Sequence, residues 1–220
     1  MRSLNGLALG AGVDRGVVAD TTALTRRGLL LEYLTLAWNV VGAGVLLATA
    51  IATGSIALVG FGLDSMIEVL ASLVVVWQLK GVPGERDHRA MRIIGAAFAL
   101  LAVYVAVQSA RTLLAGSHPG TSVLGMAWVT ATVAAMLLLA AGKHRTGTRL
   151  GNVVLTTEAR VTPIDAYLAA SVLLGLTLAA AVGWWWADPL AALVIVGYAV
   201  KESRESFSWQ PPASSGHHPD

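Results

Sequence analysis

The chain has 220 residues, 55% of them hydrophobic and 13% charged, with a net charge of +2 and no cysteine. A soluble domain carries about 25% charged residues, so this composition and its long apolar runs indicate a polytopic membrane protein. Disulfides and thiolate metal sites are excluded, and the basic residues follow the loops without forming a nucleic-acid patch.

At about 20 residues per span, six helices fit, with little chain left over. Residues 1–28 read as a cytoplasmic arm and not as a signal peptide, since Leu4 to Val18 is rich in glycine and interrupted by Asp14 and Arg15. The first span is expected from about Leu31 to Ala52, after Arg26 and Arg27, with Glu32 and Asn39 as its polar residues. Asn39 reads as an interhelical hydrogen-bonding residue. Thr53-Gly54-Ser55 links to the second span, about Ile56 to Leu79. A charged loop, Lys80 to Arg92, carries the turn signal Pro83-Gly84. The third span is about Ile93 to Leu114, and a short loop with Pro119-Gly120 leads to the uncharged fourth, about Val123 to Ala141. A polar segment follows, Gly142 to Gly151, with Lys143, His144, Arg145 and Arg149. The fifth helix runs from near Asn152 to Val182 and contains Glu158, Arg160, Pro163 and Asp165. Trp184 to Trp186 form an interfacial cluster, and Asp188-Pro189 reads as an N-cap with proline at the first position of the sixth span, Pro189 to Val200. The tail, 207–220, is expected to be disordered.

With six spans and both termini inside, all but Arg111 of the 15 Lys and Arg residues fall on the cytoplasmic side, as the positive-inside rule demands. The expected fold is an all-α bundle of six transmembrane helices, residues 29–206, in the cell membrane.

Asp64, Glu68 and Asp165 lie well inside predicted spans, and Glu158 is near the inner boundary. An acid in lipid is costly and faces a bundle interior or a water path. Asp64 and Glu68 are four residues apart, hence on one helical face; Glu158 and Asp165, seven apart, share another. Pro163 removes a backbone hydrogen bond between them. Carboxylates from two helices suit a hard or borderline divalent cation, and also proton exchange, because crowded buried carboxyl groups take up protons near neutral pH.

The second span, with Gly54-Ser55-Ile56-Ala57-Leu58 and then Gly62-Leu63-Asp64-Ser65-Met66-Ile67-Glu68, resembles the cation diffusion facilitator (cation efflux) family. So does Trp186-Ala187-Asp188-Pro189-Leu190 at the entry to the sixth helix. The resemblance implies six helices with cytoplasmic termini, a homodimer, and a transport site drawn from the second and fifth helices. Asp64 and Glu68 match the second-helix pair, and Glu158 and Asp165 match acidic positions of the fifth. A register one residue on would instead bring Thr162 and Ala166 to the site. Val161 stands where the family pattern has His, and Glu68 where Asp is commoner. An all-oxygen site leans from zinc toward Mn²⁺, Fe²⁺ or Mg²⁺. The cytoplasmic domain that usually follows the sixth helix is expected to be absent. The implied activity is proton-coupled efflux of a divalent cation, with lipid, cation and protons as partners and neither enzymatic activity nor a resident cofactor. The alternative is a transport-inactive member acting as a membrane binding or regulatory protein.

Overall fold

The computed structural model describes residues 5–79, 87–151 and 153–209; the side chains of 5–21, 72, 74–79, 87–88, 153–154, 157–158 and 160–161 lie outside that description. The Pro83-Gly84 turn, residues 210–220 and the Glu158 side chain therefore fall outside it. Six helices and no strand occur among the described residues: α1 (Asn5–Thr53), α2 (Ile56–Leu79), α3 (Asp87–Ala115), α4 (Val123–Leu150), α5 (Val153–Val182) and α6 (Ala187–Ser208). Four segments among them are long and apolar enough to cross a membrane: Thr22–Thr53, Arg89–Ala115, Val123–Leu150 and Thr162–Val182. The second half of α6 carries Lys201, Glu202, Arg204 and Glu205 on a short helix. Leu100, Val103, Leu138 and Leu174 are exposed on the helix exteriors, as expected where lipid is the solvent. The chain is a multi-pass membrane protein with the expected six-helix architecture.

Several boundaries differ from expectation, and α6 runs past Val200 to Ser208. α1 begins far ahead of Leu31, and α4 continues through the polar segment to Leu150. That segment is polar, yet its Lys143, His144 and Arg145 are compatible with helix, and no proline interrupts it. The third helix ends at Gly116, whose φ of +60° only glycine adopts freely. The Ser117 amide donates to the Thr112 carbonyl at 3.1 Å, closing a Schellman turn ahead of Pro119-Gly120.

Packing divides the chain into two compact units, one of Met1–Trp38 and Ala131–Tyr167, the other of Asn39–Thr130 and Leu168–Asp220. In the first, α1, α4 and α5 approach through small residues. Gly28 lies against Leu155 and Gly142 against Leu31, each leaving 3.1 Å for an added Cβ. The Trp38 indole donates to Thr132 Oγ1 at 3.1 Å.

In the second unit α2, α3 and α6 pack on one another. Leu58, Val105, Val172 and Ile195 are fully buried there. Among the glycines of the first two spans, Gly42 meets Trp128, Gly60 meets Ile195 and Val105, and Gly62 meets Leu46 and Leu47, whereas Gly44 faces open space. The tightest approach among the described glycines is elsewhere, at Gly175. An added Cβ would stand 2.6 Å from the Ala191 Cβ and 2.9 Å from the Ala187 carbonyl oxygen. Ser203 Oγ donates to the Gly95 carbonyl at 2.9 Å, and Phe98 meets Tyr198 edge to face.

The start of α2 is closed from α6. Ser55 Oγ accepts from the Leu58 amide at 3.1 Å and donates to Asp188 Oδ1. Asp188 Oδ2 accepts from the amides of Ile56 (2.8 Å) and Ala57 (3.4 Å), and the Ser55 amide reaches Thr53 Oγ1 at 3.3 Å. Every one of the four orphan N–H groups at this helix start is thus satisfied. This corrects the reading of Asp188 as the cap of its own helix. The N-cap position of α6 is Trp186, without a side-chain cap, and Asp188 and Pro189 stand inside the first turn. From there the carboxylate complements the dipole of α6 while its oxygens serve the amides of α2. Asp188→Ala is expected to lower stability by about 1–3 kcal/mol, the cost of stranding buried donors. Glu205→Ala, at an exposed pair with Lys201, should change it by less than about 0.5 kcal/mol. Thermal unfolding of the detergent-solubilised protein measures both.

Candidate metal centre

On α2, Asp64 is buried, 1% exposed, in an interior of apolar and small side chains that includes Phe61, Ser65 and Ile67. One turn on, Glu68 Oε2 accepts from the Asn39 side-chain amide at 2.5 Å. Asn39 is itself buried, so the expectation of an interhelical hydrogen bond holds, and its partner is one of the candidate ligands. A neutral amide donor steadies a carboxylate without cancelling its charge.

On α5, Asp165 is 8% exposed and Thr162, one turn before it, is 3% exposed. Pro163 lies inside the continuous helix. Its ring nitrogen cannot donate to the Ala159 carbonyl, which frees an acceptor on the same helix as the acid. The backbone places positions 158, 162 and 165 on one face. Among the described residues no three His, Asp or Glu groups stand together as a ready metal cage. The predicted ligands fall into two pairs: Asp64 and Glu68 in one compact unit, Asp165 with position 158 in the other.

A residue that composition placed in a loop proves the most deeply buried cation among the described residues. Lys143, on α4, is fully buried, and its Nζ lies 2.9 Å from Glu32 Oε2 on α1. It also donates to Thr162 Oγ1 on α5 at 3.4 Å. A basic cluster next to a helix end reads as solvated, whereas this member turns inward to the Glu32 carboxylate, 111 residues away. Glu32, the one charged residue of the predicted first span, was the available signal. Two of the histidines behave as surface groups. His118 and His144 are exposed, and His118 lies against Trp185 with ring centres 5.2 Å apart. Beyond the expected sixth span, burial pushes the Glu202 carboxyl above its ordinary range, against the opposing charge of Lys201.

Comparison with known proteins bears on these residues. The chain is 25% identical over 161 residues to an uncharacterized transporter of Synechocystis, an alignment covering 68% of this chain and 52% of the relative. It is 28% identical over 162 residues to the cation-efflux pump FieF of Shewanella oneidensis, covering 66% and 53%. The chain spans about half the length of these curated relatives. Residues 90–208 match the cation efflux transmembrane domain, a stretch that runs from α3 to the end of α6 and includes both fifth-helix acids. With more than half of its residues in that match, the chain belongs to the cation efflux family.

Proposed function

We propose that this protein is a secondary transporter that exports a divalent metal cation in exchange for protons. Asp64 and Glu68 of α2 and Asp165 and Glu158 of α5 would bind the ion. The supporting observation is the coincidence of family membership with two buried acids, Asp64 and Asp165, on the two helices the resemblance implicates. The pump of Shewanella named as a cation-efflux protein supports export. Each carboxylate serves twice in this reading: ionised it binds the cation, and protonated it crosses the apolar interior without the desolvation cost of a charge. An all-oxygen ligand set with Val161 in place of an imidazole favours Mn²⁺, Fe²⁺ or Mg²⁺ over Zn²⁺. Cytoplasmic termini and a homodimer belong to the same proposal, as does the absence of enzymatic chemistry. Val161 also motivates the second reading, a binding or regulatory member that has lost transport.

Uptake of metal into inside-out vesicles under an imposed pH gradient tests the assignment across a panel of divalent cations. The double variant Asp64→Asn with Glu68→Gln is expected to reduce flux to that of empty vesicles. Asp165→Asn alone should lower flux at limiting metal about tenfold or more, equivalent to at least about 1.4 kcal/mol of lost ion binding. Unchanged flux in the double variant would sink the site. A wild-type protein that moves no ion but binds one in detergent calorimetry supports the regulatory reading.

Asn39 is expected to act through Glu68. A double-mutant cycle of Asn39→Ala and Glu68→Ala in detergent unfolding should show a coupling of about 0.5–2 kcal/mol, the range of interhelical hydrogen bonds in membranes. Asn39→Ala should also weaken apparent ion affinity several-fold while leaving the Asp165→Asn defect intact.

A further inference from the structure

An ammonium group enters an apolar bundle only when acceptors meet it, and a methionine of similar volume would fill the same space without that demand. Lys143 nevertheless stands fully buried in the unit formed by parts of α1, α4 and α5. Glu32 at 2.9 Å lies on one side of the ammonium and Thr162 at 3.4 Å on the other. Thr162 lies three residues before Asp165 and four after Glu158. The ammonium therefore docks on the helical face that carries the fifth-helix acid positions. Glu32 is part-exposed, with 39% of its side chain accessible, so the two ends of the pair are held unequally. A lysine ammonium is a point charge on a flexible four-carbon stem, able to shift between neighbouring anions without backbone movement.

We propose that Lys143 is a tethered counter-cation for the α5 acid face, parked on Glu32 while the transported ion is bound and competing for the α5 carboxylates when it leaves. This rests on the transport reading above. Lys143 is then a positioning and release residue, outside the ion's own ligand set. The lysine keeps the carboxylates from remaining as bare charges in an apolar interior once the ion has gone. It also sets how tightly the ion is held, because a bound divalent cation must displace it or tolerate its repulsion.

The two ends of the pair make opposite predictions, which a purely structural ion pair does not. With the full chain in proteoliposomes and Mn²⁺ as the probe, Lys143→Gln is expected to lower KM about tenfold. This is a modest fraction of what a unit charge one helical turn away exerts in a partly shielded site. Maximal turnover should fall in the same variant, because release slows. Glu32→Gln leaves the ammonium to the α5 acids and should raise KM several-fold. Lys143→Arg retains the charge but loses the compact, mobile head, so its KM stays within about threefold of wild type while turnover drops. Circular dichroism and gel filtration identify folded variants. Should Lys143→Gln fail to fold, Glu32→Gln with Mn²⁺ calorimetry in detergent decides alone: weaker binding supports the proposal, and unchanged or tighter binding overturns it. Shifts of both variants in one direction, or in neither, overturn it while leaving wild-type transport standing. A wild-type chain without Mn²⁺ flux or binding brings down the transport reading and this inference with it.

Discussion

The carboxylate of Asp188 closes the N-terminus of α2, and the placement of Asp64 and Glu68 depends on it. A helix start leaves four amides without intrahelical acceptors, and lipid supplies none. Here Ser55, Thr53 and Asp188 take all four, with Asp188 arriving from another helix 133 residues along the chain. The cap therefore fixes the axial position of α2 against α6 as well as ending the helix. Asp64 follows Ile56 by eight residues, a rise of about 12 Å at helical pitch. Any slip of the cap would carry Asp64 and Glu68 along the helix axis by the same amount. Close approach at Gly60, against Ile195 of α6 and Val105 of α3, holds the same helix laterally.

Much of this fold was legible in the sequence because its strongest signals are local. Apolar runs give the helices, and an acid inside such a run is conspicuous, which is how Asp64 and Asp165 came to be identified as buried groups. Asn39 was equally open to inference, since an amide in a span has few roles besides bonding another helix. What escaped were pairings made across long sequence separations. Asp188 has the local appearance of an N-cap, and nothing near it in sequence reveals that the amides it serves belong to Ile56 and Ala57. Lys143 stands among His144, Arg145 and Arg149, so composition assigns it to water, whereas a carboxylate from α1 draws it into the interior. The tight contact at Gly175 was also silent, because a glycine in an apolar run looks alike whether it faces lipid or a neighbouring backbone. The fifth-helix register rests on the resemblance alone, and the side chain of Glu158 lies outside the described residues.

The two compact units treat their acids by different electrostatic means. In the unit that includes α2, Glu68 receives a hydrogen bond from Asn39, a neutral donor that leaves the negative charge available to an incoming cation. In the unit that holds Asp165, the Lys143 ammonium stands beside Thr162 one turn away, and any attraction between that ammonium and the acid face must be overcome by an ion that binds there. Under the proposed function, α2 then supplies most of the attraction and α5 most of the readiness to release. A site whose carboxylates all met neutral donors alone would hold a divalent ion too firmly to transport it, and one neutralised throughout by lysines would not capture it. Transport requires binding to be strong enough to fill the site and weak enough to empty it, and an amide on one helix pair with an ammonium on another provides both without changing the ligand type.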